Sequence, residues 1–129
     1  MILKDLQSLF VTKIDFEEGE SGIGDIVVVM QNGEAKQGGS RYVCNQSISS
    51  LEDLARIDTI FEEQEGHIFS LRFTYRDSKI ETIGAKLETH KPGRIESFTL
   101  DEGERLFGCR LFHGEHDLQG VTWIKCKFE

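Results

Sequence analysis

The chain has 129 residues, enough for one domain, spanning 1–129, with a hydrophobic core of its own. Its 23 Asp and Glu against 15 Lys and Arg give a formal net charge of −8, a field that argues against nucleic acid or an anionic membrane as partner. No apolar run approaches the length of a membrane span, and Lys4 and Asp5 interrupt the N-terminal apolar residues before a signal-peptide core develops.

In chain order, Leu3, Leu6 and Leu9 have helix-like spacing and fit an edge strand equally well. Val11–Phe16 reads as a strand and 17–24, rich in Glu, Ser and Gly, as a loop. Asp25–Met30 is a continuous β-branched run, as expected of a strand covered on both faces. Asn32-Gly33 is a tight-turn signal, since both residues tolerate positive φ. Gln37–Ser40 reads as a loop and Arg41–Val43 as a short strand. Ser50-Leu51-Glu52-Asp53 fits either a capping box opening a helix or a turn after a strand.

Leu54–Phe61 is a strand by residue type, and Glu62–Gly66 is its hairpin loop. His67–Tyr75 alternates, with Ile68, Ser70, Arg72 and Thr74 on one face and Phe69, Leu71, Phe73 and Tyr75 on the other. Arg76–Lys79 turns, Ile80–Ile83 returns, Gly84 ends that strand, and 90–93 is a loop. Ile95–Leu100, Leu106–Phe112 and Val121–Phe128 are the last strands, with a turn at 101–103. Between the final two lies His113-Gly114-Glu115-His116-Asp117-Leu118-Gln119-Gly120, a polar loop bracketed by glycines. Binding residues concentrate on such loops. With no sustained helical period, the chain is expected to be all-β.

The three cysteines are an odd number without metal-ligand spacing. Cys109 and Cys126 fall within apolar strands, where a thiol serves as a small hydrophobe. This pattern implies a reducing, cytoplasmic setting; a Cys109–Cys126 bridge between neighbouring strands is the alternative.

One template recurs at near-equal intervals: Val11-Thr12-Lys13-Ile14-Asp15-Phe16, Ile68-Phe69-Ser70-Leu71-Arg72-Phe73 and Val121-Thr122-Trp123-Ile124-Lys125-Cys126. The last two copies each follow a similar strand and an acidic, glycine-containing loop. Repeated β units imply a pseudo-symmetric fold.

With these motifs in this order, the sequence resembles the jacalin-type lectin domains. Ile14-Asp15-Phe16, Gly22–Val28 and Asn32-Gly33 resemble that family's first Greek key. Ile57–Tyr75 resembles its central hairpin, and Phe98-Thr99-Leu100, Gly103-Glu104 and Leu106-Phe107-Gly108 resemble the strand pair of its third unit. The resemblance implies a β-prism I of three Greek-key sheets with pseudo-three-fold symmetry. It also implies a sugar site built on a G-x-x-x-D loop before the last strand and a glycine-rich N-terminal loop. Here the final loop reads G-x-x-D, over Gly114-Glu115-His116-Asp117, and residues 1–10 hold no glycine. Strict alignment of the last strands instead puts the Asp position near Gly120.

The expected carbohydrate site is therefore Gly114, Glu115, His116 and Asp117. Asp117 and Glu115 would accept hydroxyl hydrogen bonds, His116 would stack or donate, and the Gly114 backbone would approach closely. Trp123 could offer a sugar an aromatic face, but a strand Trp is more often core. A zinc site from Cys109, His113, His116 and Asp117, or calcium held by Glu17, Glu18 and Glu20 or by Glu62, Glu63 and Glu65, lacks the usual ligand patterns. No nucleophile elbow or phosphate-cradling loop appears. The expectation is a non-enzymatic lectin without cofactor or metal, binding a mono- or oligosaccharide. The alternative is a protein-interaction or assembly domain that kept the prism and lost the sugar site, with self-association through sheet edges.

Overall fold

The computed structural model describes residues 11–18, 22–31, 33, 35–36, 44–64, 66–84, 92–114 and 118–127. The expectations for residues 1–10 and 37–43, including the Arg41–Val43 strand, lie outside them. Within them the chain forms strands β1 (Val11–Glu18), β2 (Ile23–Met30), β3 (Ala35–Lys36), β4 (Gln46–Ile48), β5 (Leu54–Glu62), β6 (Ile68–Tyr75), β7 (Ile80–Gly84), β8 (Pro92–Thr99), β9 (Glu104–His113) and β10 (Leu118–Lys127). The described residues contain no helix.

Hydrogen bonding sorts the strands into antiparallel sheets ordered β3-β2-β1-β4, β7-β6-β5-β8 and β10-β9. The two four-stranded sheets share one connectivity. Three strands follow one another in order, and the fourth returns beside the first, which is a Greek key. The third sheet, as described, is a single hairpin.

The three long hairpins share one register. Ile14 pairs with Val28, Ile57 with Phe73 and Cys109 with Trp123. Each pairing skips a residue early in the first strand, at Thr12, Ala55 and Phe107. Each also skips one early in the second, at Gly24, Phe69 and Gln119. An extra residue in a ladder bends the strand and raises its twist. Bending at the same two places gives each hairpin the same curvature, so three can wrap one axis. This is the pseudo-three-fold β-prism that the motifs imply.

The core lies between the hairpins. Ile14, Ile57 and Cys109 are equivalent and fully buried, and Val28, Phe73 and Trp123 face them, also buried. The Phe73 ring meets Trp123 and Phe16 edge-on, at centroid distances of 6.3 and 5.7 Å. Where the first and third hairpins place Phe16 and Leu111, the second places Thr59. That substitution has a reason: Trp123 Nε1 donates to Thr59 Oγ1 at 3.3 Å, satisfying an indole N–H that burial would otherwise orphan. Trp123 is therefore core and offers no face to a sugar.

The register corrects the repeat read from the sequence. β6 and β10 are second strands of their hairpins, whereas β1 is a first strand; the counterpart of β6 and β10 is β2. Both strands of a hairpin send alternate apolar residues into the same core, so both satisfy the template. The alternation over His67–Tyr75 is corrected too. Phe69 is the extra residue, so Ile68 joins the main core with Leu71 and Phe73, while Phe69 packs with Ile60.

Several boundaries move. β1 continues to Glu18 and β2 starts at Ile23, within the expected 17–24 loop. β8 begins at Pro92, where a missing N–H is tolerated on an edge strand. Ser50–Asp53 lies between β4 and β5 and holds no helix; the Leu54 N–H closes the turn on Leu51 O at 3.3 Å. Gly33, at φ 88°, donates its N–H to Met30 O at 2.9 Å, completing the expected turn. Cys109 and Cys126 are free thiols, opposite Trp123 and Arg105 respectively, and form no bridge.

Candidate functional site

The strand ends that flank the three hairpin connections gather at one end of the prism. Gly22, beside the first turn, packs on the second hairpin so closely that a Cβ would lie 2.5 Å from Ile68 O. Glu18 Oε2 accepts the Gly84 N–H at 2.8 Å, tying the first hairpin to the end of β7. Glu18 also exchanges two 2.9 Å hydrogen bonds with Asn45, its N–H donating to Asn45 Oδ1 and its carbonyl accepting from Asn45 Nδ2. His113 closes the ring from the third hairpin, with Nε2 3.4 Å from Asp25 Oδ1.

The expected polar loop is shorter than its sequence suggests. β9 runs through His113 and β10 starts at Leu118, so only 114–117 separate the two strands. Gly114 follows β9, and a Cβ there would sit 2.7 Å from the Gln119 side chain. Glu115, His116 and Asp117 lie outside the described residues. His113 belongs to the strand end, its side chain half exposed and reaching Asp25.

Asp25 is the residue that the sequence reading missed. It served only as the first position of an apolar strand. Folded, it is 6% exposed; Oδ1 accepts the Ile26 N–H at 2.9 Å and faces His113. The available signal was a carboxylate opening an otherwise apolar run, next to glycine. Beneath it, burial and the Asp25 carboxylate push the Cys109 thiol up to about 12, so Cys109 is held protonated. Its side chain is fully buried in the core. Among the described residues no group of three or more His, Cys, Asp or Glu gathers to hold an ion; Glu20, Glu65 and His116 lie outside them.

This end thus presents an imidazole and carboxylates on a hydrogen-bonded floor, the donor–acceptor mixture that hydroxyl groups match. The opposite end holds an open cleft of about 320 Å³ lined by Ser49, Ser50, Glu52 and Asp53.

Two Greek keys and a third matching hairpin about one axis define a β-prism, and solved β-prism domains share this fold. The second β-prism domain of RbmC from V. cholerae superposes with a TM-score of 0.60 at 18% identity, covering 88% of this chain and 84% of that one. The same domain bound to N-acetylglucosaminyl-β-1,2-mannose gives 0.61 at 19%, with the same coverage. The V. cholerae biofilm matrix protein Bap1 gives 0.62 at 15%, covering 90% of this chain and 20% of that one. At such identities the likeness establishes the fold. No family model matches the chain, and no curated protein does.

Proposed function

We propose that this β-prism is a carbohydrate-binding domain of the jacalin type, with its site at the hairpin end on Gly114–Asp117. The observation that supports the reading is the contact at the strand end from which that polar segment continues. There His113, the last residue of β9, has its imidazole steadied by Asp25 across the boundary between two hairpins. In this reading Asp117 and Glu115 accept sugar hydroxyls, His116 donates or stacks, and the Gly114 backbone lets the ring approach. A β-prism domain of the same fold has been solved with a disaccharide, which supports a saccharide as ligand. The domain acts without catalysis, cofactor or metal. We place it in the cytoplasm, in keeping with the free thiols of Cys109 and Cys126.

Calorimetric titration with N-acetylglucosaminyl-β-1,2-mannose, mannose, glucose and galactose tests this. Millimolar or tighter binding to at least one is expected, weakened by about tenfold or more in Asp117→Ala, since a charged acceptor contributes on the order of 1.5–3 kcal/mol. Absence of heat with every ligand contradicts it.

A second reading, a protein-interaction or assembly domain, is favoured by one observation. Phe112 and Ile124 are 50% and 42% exposed, opposite Gly120 and Gly108 on the third hairpin. It predicts association that Phe112→Ser weakens in sedimentation experiments; a monomer at all concentrations that captures no partner argues against it.

A further inference from the structure

We infer that the outer face of the second sheet carries a separate binding site, in which Arg56 and Arg72 hold the carboxylate of an acidic sugar. The face is fixed by the register. Asp58 pairs with Arg72 on one side and Ser97 on the other, and Arg72 pairs with Thr82. One step along, Arg56 lies between Thr74 and Thr99, and Thr74 faces Ile80. Period-two alternation sends all of these side chains to the same side.

Asp58 is the anchor. It is 1% exposed although it lies on an outer face, because the two arginine side chains cover it. Its Oδ2 receives Arg56 Nε at 3.1 Å, Arg56 Nη2 at 3.1 Å and Arg72 Nε at 3.2 Å. Its Oδ1 receives Ser97 Oγ at 2.6 Å. The carboxylate is thereby saturated, and both guanidinium groups are held beside each other at no further ordering cost to a ligand.

What remains points outward. Arg56 and Arg72 keep 47% and 34% of their side chains exposed. Among the described residues Arg72 commits only its Nε, so its two terminal nitrogens face outward for a ligand. Two cations over one anion leave one net positive charge on a chain of net charge −8. Among the described strand residues of this face the one further charge is Glu62, at the hairpin end of β5, whose Oε2 accepts the Gln64 N–H at 3.0 Å. The neighbours of the arginine pair are the hydroxyls of Thr74, Thr82, Ser97 and Thr99.

A guanidinium fork matches a carboxylate in two parallel hydrogen bonds, and flanking hydroxyls suit a ligand that itself carries hydroxyls. The negative field of the whole chain is screened beyond about 8 Å at physiological salt, so the local charge decides. The combination selects a carboxylate on a polyol, a uronic acid residue, over a neutral sugar. The site is independent of the hairpin-end reading.

The test is to titrate isotope-labelled full chain with digalacturonic acid, following the Arg56 and Arg72 Nε–H signals and the β5 and β6 amides. A neutral disaccharide and an oligoglutamate peptide serve as comparison ligands. The arginine signals are expected to move with the acidic sugar and not with the neutral one, while His113 and Gly114 stay still. Arg72→Lys, which keeps the charge and loses the fork, is expected to weaken binding by about fivefold or more. Unmoved arginine signals, an equal response to the neutral sugar, a response to the peptide alone, or full affinity in folded Arg72→Lys would each overturn the assignment.

Discussion

Tyr75 stands in the place that Met30 and Lys125 occupy in the other hairpins, and its hydroxyl is buried with no hydrogen-bond partner among the described residues. A buried unsatisfied hydroxyl costs stability, so Tyr75→Phe is expected to stabilise the fold by up to about 1 kcal/mol in urea denaturation. Burial, with Glu81 nearby, pushes the phenol up to about 12 from its ordinary value of 10.0. The folded state thus keeps its proton where the unfolded chain loses it. The stability this contributes is complete below pH 10 and is lost as pH rises towards 12. Tyr75→Phe should flatten that part of the alkaline limb, leaving the contribution of Cys109, whose shift begins from 9.0.

Asp58 sets the acid limb. Burial raises its pKa, but the Ser97 hydroxyl, Arg72 and Arg56 outweigh burial and hold it below the ordinary carboxylate value. Its contribution is present above pH 3.8, the ordinary value, and is lost as pH falls through the depressed one. Asp58→Asn should lower stability at neutral pH by about 1–3 kcal/mol, because two arginines lose a charged partner while remaining partly hydrated. It should also make the loss of stability on acidification shallower. Urea titrations across pH check both.

At the scale of elements, the glycines at strand ends differ in kind. Gly84 has φ 114°, and a Cβ there would fall 2.3 Å from Phe69 O; Gly33 has φ 88° and open space around it. Gly84→Ala should cost more than about 2 kcal/mol, combining strain with overlap. Gly33→Ala should cost only about 1 kcal/mol, the conformational penalty alone. Comparable unfolding midpoints for the two variants would contradict the close packing of the end of β7 on β6 at Phe69 and Ser70.

Most strands were legible because their residue types and turn signals are local properties. Asp25–Met30, expected to be covered on both faces, is buried at all six residues. Bulges were not legible. Phe69 looks like an ordinary alternating residue, and only pairing with β5 reveals that it is extra. The Asp58–Arg72–Ser97 cluster was hidden likewise, since opposition across three strands requires a register no single strand contains. Of the candidate site, the break between the last two strands was legible from its glycines and polar residues, while Glu115, His116 and Asp117 lie outside the described residues. The supporting Asp25–His113 contact was not, because it joins hairpins far apart in the chain.

For the molecule as a whole, the shared register explains how sequences as different as β2, β6 and β10 occupy equivalent places. The prism constrains which positions face inward and where the strands bulge. It leaves the turns and outer faces free to differ, and function on such a fold resides there. The hairpin end and the outer face of the second sheet are two such surfaces, chemically distinct: one a mixed imidazole–carboxylate rim, the other an arginine pair among hydroxyls.

The most direct measurement is a titration of isotope-labelled protein with N-acetylglucosaminyl-β-1,2-mannose, read at every backbone amide. Sugar binding at the hairpin end predicts saturable shifts at Asp25, His113 and Gly114, with Ser49–Asp53 and the β5–β8 face unmoved. Saturation without movement at those three residues, or no movement anywhere at millimolar ligand, would contradict it.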